Sequence, residues 1–106
     1  MIKTAGANVA PAEVEKALTT VLKTLDSSAA AHVLGLPDPE RGQIVAAVLA
    51  TDSGALFDEQ AIREALRSEL SAYKIPRRYR AVRTSDLPML SSGKIDIPAL
   101  RRLFDG

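Results

Sequence analysis

The chain has 106 residues, 46% of them hydrophobic and 25% charged, with a formal net charge of +1. That is the length of one domain with a modest core and the composition of an ordinary globular protein, without the global field that draws a chain to nucleic acid or an anionic membrane. It has no cysteine and a single histidine, His32, which excludes disulfide staples, thiolate metal sites, a cysteine nucleophile and a histidine-rich metal centre.

No apolar run approaches the roughly 18 residues of a membrane span, and no signal-peptide pattern is present. A cytoplasmic location is the expectation. In chain order, Met1 to Val9 reads as a short β-hairpin turning near Gly6. Such a hairpin is marginal alone in water. Pro11 suits a first helical turn, with Glu13 and Glu15 favourably placed at the positive end of the helix. Val14, Leu18, Val21, Leu22 and Leu25 make one apolar face, which predicts a helix over 11–25. Ala29 to Leu36 reads as a strand holding His32 as a locally satisfied side chain. The turn signal Pro37-Asp38-Pro39-Glu40-Arg41-Gly42 follows. The apolar run Gln43 to Thr51 reads as a second strand, buried on both faces and pairing antiparallel with the first.

Asp58 is a plausible N-cap, and Ile62, Leu66, Leu70 and Tyr73 predict a second amphipathic helix over 58–72, stopped by Ile75-Pro76. Tyr79 to Arg83 reads as a short third strand. Pro98 opens a last helix, Ala99 to Phe104. The expected fold is α+β: a short N-terminal β-hairpin and a small central sheet of about three strands flanked by helices, all in a single domain, 1–106.

Two stretches carry chemistry. Ser91-Ser92-Gly93-Lys94-Ile95-Asp96 is small, polar and flexible around one long cation, able to lower an ammonium into a cleft holding anions. It is not a Walker loop, because no glycine stands upstream at the required spacing and Ile95 follows the lysine. The plain alternative is a solvated lysine before a short helix. The second stretch holds Lys74, Arg77, Arg78, Arg80 and Arg83 without an acid, interleaved with Tyr73 and Tyr79. Arginines and aromatics in that pattern suit RNA, a solvated strand edge, or a phosphorylated small molecule.

Three segments, in order, then point the same way. IKTAGANVAPAEVE, LGLPDPERGQIVAAVL, and SAYKIPRRY followed by DLPMLSSGKID resemble the small C-terminal domain of the adenylate-forming superfamily, especially acyl- and aryl-CoA synthetases. The resemblance covers the whole chain. It implies an enzyme that joins a carboxylic acid to ATP-Mg²⁺ as an acyl-adenylate and then passes the acyl group to coenzyme A. It implies a large N-terminal domain, absent from this chain, that holds most of the ATP, the Mg²⁺ and the acid. The isolated domain is expected to be inactive. Within the resemblance, Lys94 matches the terminal-motif lysine of the adenylation step, and Ser92 and Gly93 the small residues before it. Lys3, Gly6 and Asn8 match the opening loop of the thioester step, with Asn8 where many relatives have glutamine. Met89 and Leu90 depart from the common Arg/Lys-Thr pair. Arg77 and Arg78 are the candidates for coenzyme A phosphates, and no metal ligand is expected. The competing functions are a carrier-protein adenylation domain and a free-standing RNA-binding module. The resemblance favours neither nucleic acid nor a transmembrane segment.

Overall fold

The computed structural model describes residues 1–105. Its elements are β1 (Ile2–Thr4), β2 (Ala7–Val9), α1 (Pro11–Thr24), β3 (Ala30–Asp38), β4 (Gly42–Thr51), α2 (Glu59–Leu66), β5 (Arg78–Arg83) and α3 (Ile97–Arg102), with 3-10 turns at Ala72–Lys74 and Thr84–Asp86. The apolar run of β4 makes it the shared strand. β3 pairs with it antiparallel from Ala30↔Ala50 to Asp38↔Gly42. The opposite edge is divided: β1 meets it at Thr4↔Gly42, and β5 runs parallel to it from Ala46↔Arg78 to Thr51↔Arg83. The hairpin is therefore part of one five-stranded sheet rather than an appendage to a three-stranded one. The β4–β5 pair is parallel because α2 supplies the crossover that such a pair needs.

Strand alternation sends the side chains of β4 to two separate cores. Val45, Ala47 and Leu49 join Ile2, Val9, Val33 and the buried faces of α1 and α2. Ala46 and Val48 join Leu34, Leu36, Leu100 and Phe104, with Ile44, Leu87 and Ile95 packed at the margin. The first core is the larger. In α1 it buries Val14, Leu18, Val21 and Leu22 almost completely, each contributing about 1.5–3 kcal/mol.

The predicted elements are recovered with shifted ends. Helix α1 stops at Thr24 because Asp26 takes a left-handed φ of 58°. Ser27 N–H then reaches Leu22 O at 2.8 Å and Asp26 N–H reaches Lys23 O at 3.1 Å, a Schellman closure with aspartate in the usual glycine place. Asp58 does cap α2, accepting from Ala61 N–H at 3.1 Å. That helix ends at Leu66, six residues short of the expected Ala72, yet Leu70 stays buried. A non-helical turn, with Leu70 N–H on Leu66 O, returns it to the same core. Helix α3 begins earlier than expected, at Ile97, because Asp96 accepts from Ala99 N–H at 3.1 Å and caps it.

Candidate functional site

The lysine segment is a tight hairpin. Gly93 N–H donates to Leu90 O at 2.9 Å, and Leu90 N–H donates to Lys94 O at 2.7 Å. Met89 and Ile95 form the antiparallel bridge behind them. With Gly93 at φ 87°, this is a turn closed by a glycine bulge, a conformation that costs other residues strain. Asp96 N–H donates to Pro88 O, and its carboxylate caps α3. Ile95 packs on the smaller core. Lys94 is thus held between a bulge and a helix cap, with Ser91, Ser92 and Gly93 exposed beside it. Among the described residues its ammonium has no carboxylate within salt-bridge distance. The anchoring is main-chain bonding, so the unusual side chains of Met89 and Leu90, both about half exposed, are not what holds it.

The N-terminal hairpin turns through Ala5 and Gly6, at φ 51° and 83°. Both central residues are left-handed, as a two-residue turn between twisted strands requires. Lys3 and Asn8 are direct cross-strand partners, both exposed, so the structure brings Lys3, Gly6 and Asn8 together. A Cβ on Gly6 would meet nothing within 4 Å. Ile2 and Val9 seat this hairpin in the larger core, whereas Ile95 seats the lysine hairpin in the smaller. The two groups of candidate residues are mounted on opposite faces of the sheet.

The basic segment is split in the same way. Arg77 donates its main-chain N–H to Val45 O at 2.8 Å and faces α2, where it lines an open groove of about 520 Å³ with Arg63 and Arg67. Arg78 faces the other side. Its Nη2 donates to Phe104 O at 3.0 Å, and its guanidinium lies 5.3 Å from the Phe104 ring centroid. The two arginines do not converge on one phosphate, and Arg78 holds the end of α3. Lys74 grips Glu13 at 2.9 Å, and that hydrogen bond holds its ammonium above the usual lysine range.

Several working residues escaped the sequence reading. Glu15 Oε2 accepts from Val33 N–H at 2.9 Å, and Arg101 Nε donates to Gly35 O at 3.3 Å. Gln43 Oε1 accepts from Lys3 N–H at 2.9 Å. The signal for Gln43 was available: it is a polar residue at a core-facing parity of an otherwise apolar strand. No cluster of three or more His, Cys, Asp or Glu able to hold a metal occurs among the described residues. No helix among them is long and apolar enough to cross a membrane.

Residues 13–94 match the family described as AMP-binding enzyme C-terminal domain. The chain is 38% identical over 98 residues to a substituted propanoyl:CoA ligase of Mycobacterium tuberculosis, covering 92% of this chain and 18% of that protein. It is 36% identical over 104 residues to feruloyl-CoA synthase of an Amycolatopsis species, covering 98% and 20%. Among solved structures, apo MatB from Rhodopseudomonas palustris superposes with a TM-score of 0.77 at 29% identity, covering 96% of this chain and 19% of that one. The chain spans about a fifth of the length of the curated relatives it matches.

Proposed function

The chain belongs to the AMP-binding enzyme C-terminal domain family, and from that premise we propose that it is the mobile C-terminal domain of an AMP-forming acid–CoA ligase. The observation that carries the reading is Lys94: an exposed side chain whose backbone is held by main-chain bonds in a hairpin, with no carboxylate within salt-bridge distance of its ammonium among the described residues. In the first half-reaction a substrate carboxylate oxygen attacks the α-phosphorus of ATP, and pyrophosphate leaves with its bonding electrons. Negative charge builds on the phosphoryl oxygens, and a preorganised cation there stabilises the transition state. In the second, the thiolate of coenzyme A attacks the acyl carbonyl and AMP leaves. The Gly6 turn serves this step, its open tip admitting the thiol arm, with Lys3 and Asn8 beside it. Arg77, with Arg63 and Arg67 along the same groove, is the better-supported phosphate contact; Arg78 is committed to Phe104. The Mg²⁺ that accompanies ATP is assigned to the large domain, which the resemblance implies holds most of the nucleotide.

The two half-reactions separate the roles. In the complete ligase carrying this domain, Lys94→Ala slows acid-dependent pyrophosphate exchange by about 10²–10³-fold and largely spares thioester formation from preformed acyl-adenylate. Gly6→Leu does the reverse. Its side chain has open space, so the cost to folding is only the roughly 1–2 kcal/mol of a left-handed residue. The 106-residue chain alone, lacking a nucleotide and acid pocket, is the blank. Unchanged pyrophosphate exchange in the lysine variant, or steady AMP release by the blank, refutes the proposal. Acyl transfer to a carrier protein in place of coenzyme A redirects the second step only.

A further inference from the structure

The Gly6 hairpin meets the rest of the sheet at one residue pair, Thr4↔Gly42. Within the hairpin, Ile2 and Thr4 direct their main-chain groups to Val9 and Ala7 of β2. Lys3, between them, turns its N–H toward β4. The acceptor it finds there is a side chain, the Gln43 carboxamide, with Oε1 at 2.9 Å. On the far side of the Thr4–Gly42 pair, Ala5 N–H donates to Arg41 O at 2.9 Å. Those two bonds flank the single pair and set the angle at which the turn projects.

The seat of the Gln43 amide depends on a missing side chain. A Cβ on Gly35 would lie 2.8 Å from Gln43 Nε2 and 3.2 Å from Ile2 Cγ2. Retention of the hairpin is a separate matter: Ile2 and Val9, 3% and 0% exposed, keep it on the core. Burial is non-directional, whereas a hydrogen bond weakens steeply with angle. Ile2 and Val9 hold the hairpin on; Gln43 aims it.

We infer that Gln43, seated against Gly35, is a positioning residue for the Lys3–Asn8 face of the hairpin and hence for acyl transfer to the thiol. This rests on the proposed role of the hairpin in thioester formation. Gln43→Leu removes the acceptor, Gln43→Glu keeps one, and Gly35→Ala leaves Gln43 in the sequence but displaces its amide. In the 106-residue chain, hydrogen exchange at the Lys3 N–H rises about tenfold in Gln43→Leu and Gly35→Ala and returns toward the parent rate in Gln43→Glu, while the amides of α1 are unmoved. In the complete ligase, the first two variants slow thioester formation from preformed acyl-adenylate by about five- to tenfold. Adenylate formation is unchanged, and Gln43→Glu is rescued. A Lys3 amide indifferent to Gln43→Leu overturns the inference, as does equal damage to both half-reactions. If Gly6→Leu blocks the thioester step and Gln43→Leu does not, the inference alone falls. If Gly6→Leu also leaves that step intact, the catalytic reading of the hairpin falls and takes the inference with it.

Discussion

Tyr79 carries a hydroxyl with nothing to bond. The oxygen is buried and has no hydrogen-bond partner among the described residues, while its ring packs 6.0 Å from that of Phe57. Burial pushes the phenol well above the usual tyrosine range. An unpaired buried hydroxyl is a cost that its removal relieves, so Tyr79→Phe stabilises the chain by about 1 kcal/mol, read as a higher urea midpoint at unchanged m-value. A raised phenol pKa contributes stability below the unfolded value of about 10 and loses it as pH climbs past that value. The parent therefore weakens more steeply than the variant in alkali. At this scale the sequence was legible where a residue answers to its neighbours in the chain. Asp58 before an apolar period reads as a cap, and Gly93 beside Lys94 reads as an exposed loop with backbone freedom, which the structure closes into a hairpin. Where the partner is remote the partner was opaque: Gln43 stands out as a polar residue in an apolar strand, but nothing in the sequence points from it to Lys3, 40 positions away.

Among the strands, β3 closes one side of the sheet, and its outward main-chain groups invite pairing with another chain. Two side chains cover them from opposite faces: Glu15 of α1 takes Val33 N–H, and Arg101 of α3 holds Gly35 O. Pro37 lacks an N–H to offer. Glu15→Ala strips the first cover. The expected result is faster hydrogen exchange at Val33 and a loss of about 1 kcal/mol, together with a rise in concentration-dependent light scattering. Unchanged Val33 exchange removes the edge-cover account. Element existence was readable from period alone: β4 from its apolar run, α1 and α2 from their helical spacing. Pairing was not. Periodicity states which face of a strand is buried, not which strand lies beside it, so the parallel β4–β5 ladder and the merging of the hairpin into the sheet had no signal. Leu70 misled the boundary of α2, because a turn outside the helix delivers it to the place a longer helix would.

For the whole molecule, the order of predicted elements carried the α+β fold and the resemblance of three ordered segments the family, while the division into two faces is visible only in the folded molecule. That division has a consequence for heredity. The Gly6 hairpin is seated on the core that receives Val45, Ala47 and Leu49; the lysine hairpin is seated on the core that receives Ala46 and Val48, with Ile44 at its margin. Mild substitutions along β4 then sort by parity. Odd-numbered positions loosen the seat of the Gly6 hairpin, proposed to serve thioester formation, and even-numbered ones the seat of the Lys94 hairpin, proposed to serve adenylation. A lesion such as Val45→Ala, a partial cavity of the kind that costs about 1–3 kcal/mol, depresses the second half-reaction more than the first, and Val48→Ala the reverse. Measured on preformed acyl-adenylate and by pyrophosphate exchange, equal loss at both parities contradicts this sorting. Second-site revertants of the two classes should complement by face, so that one strand, read in alternate letters, is two linked loci of selection.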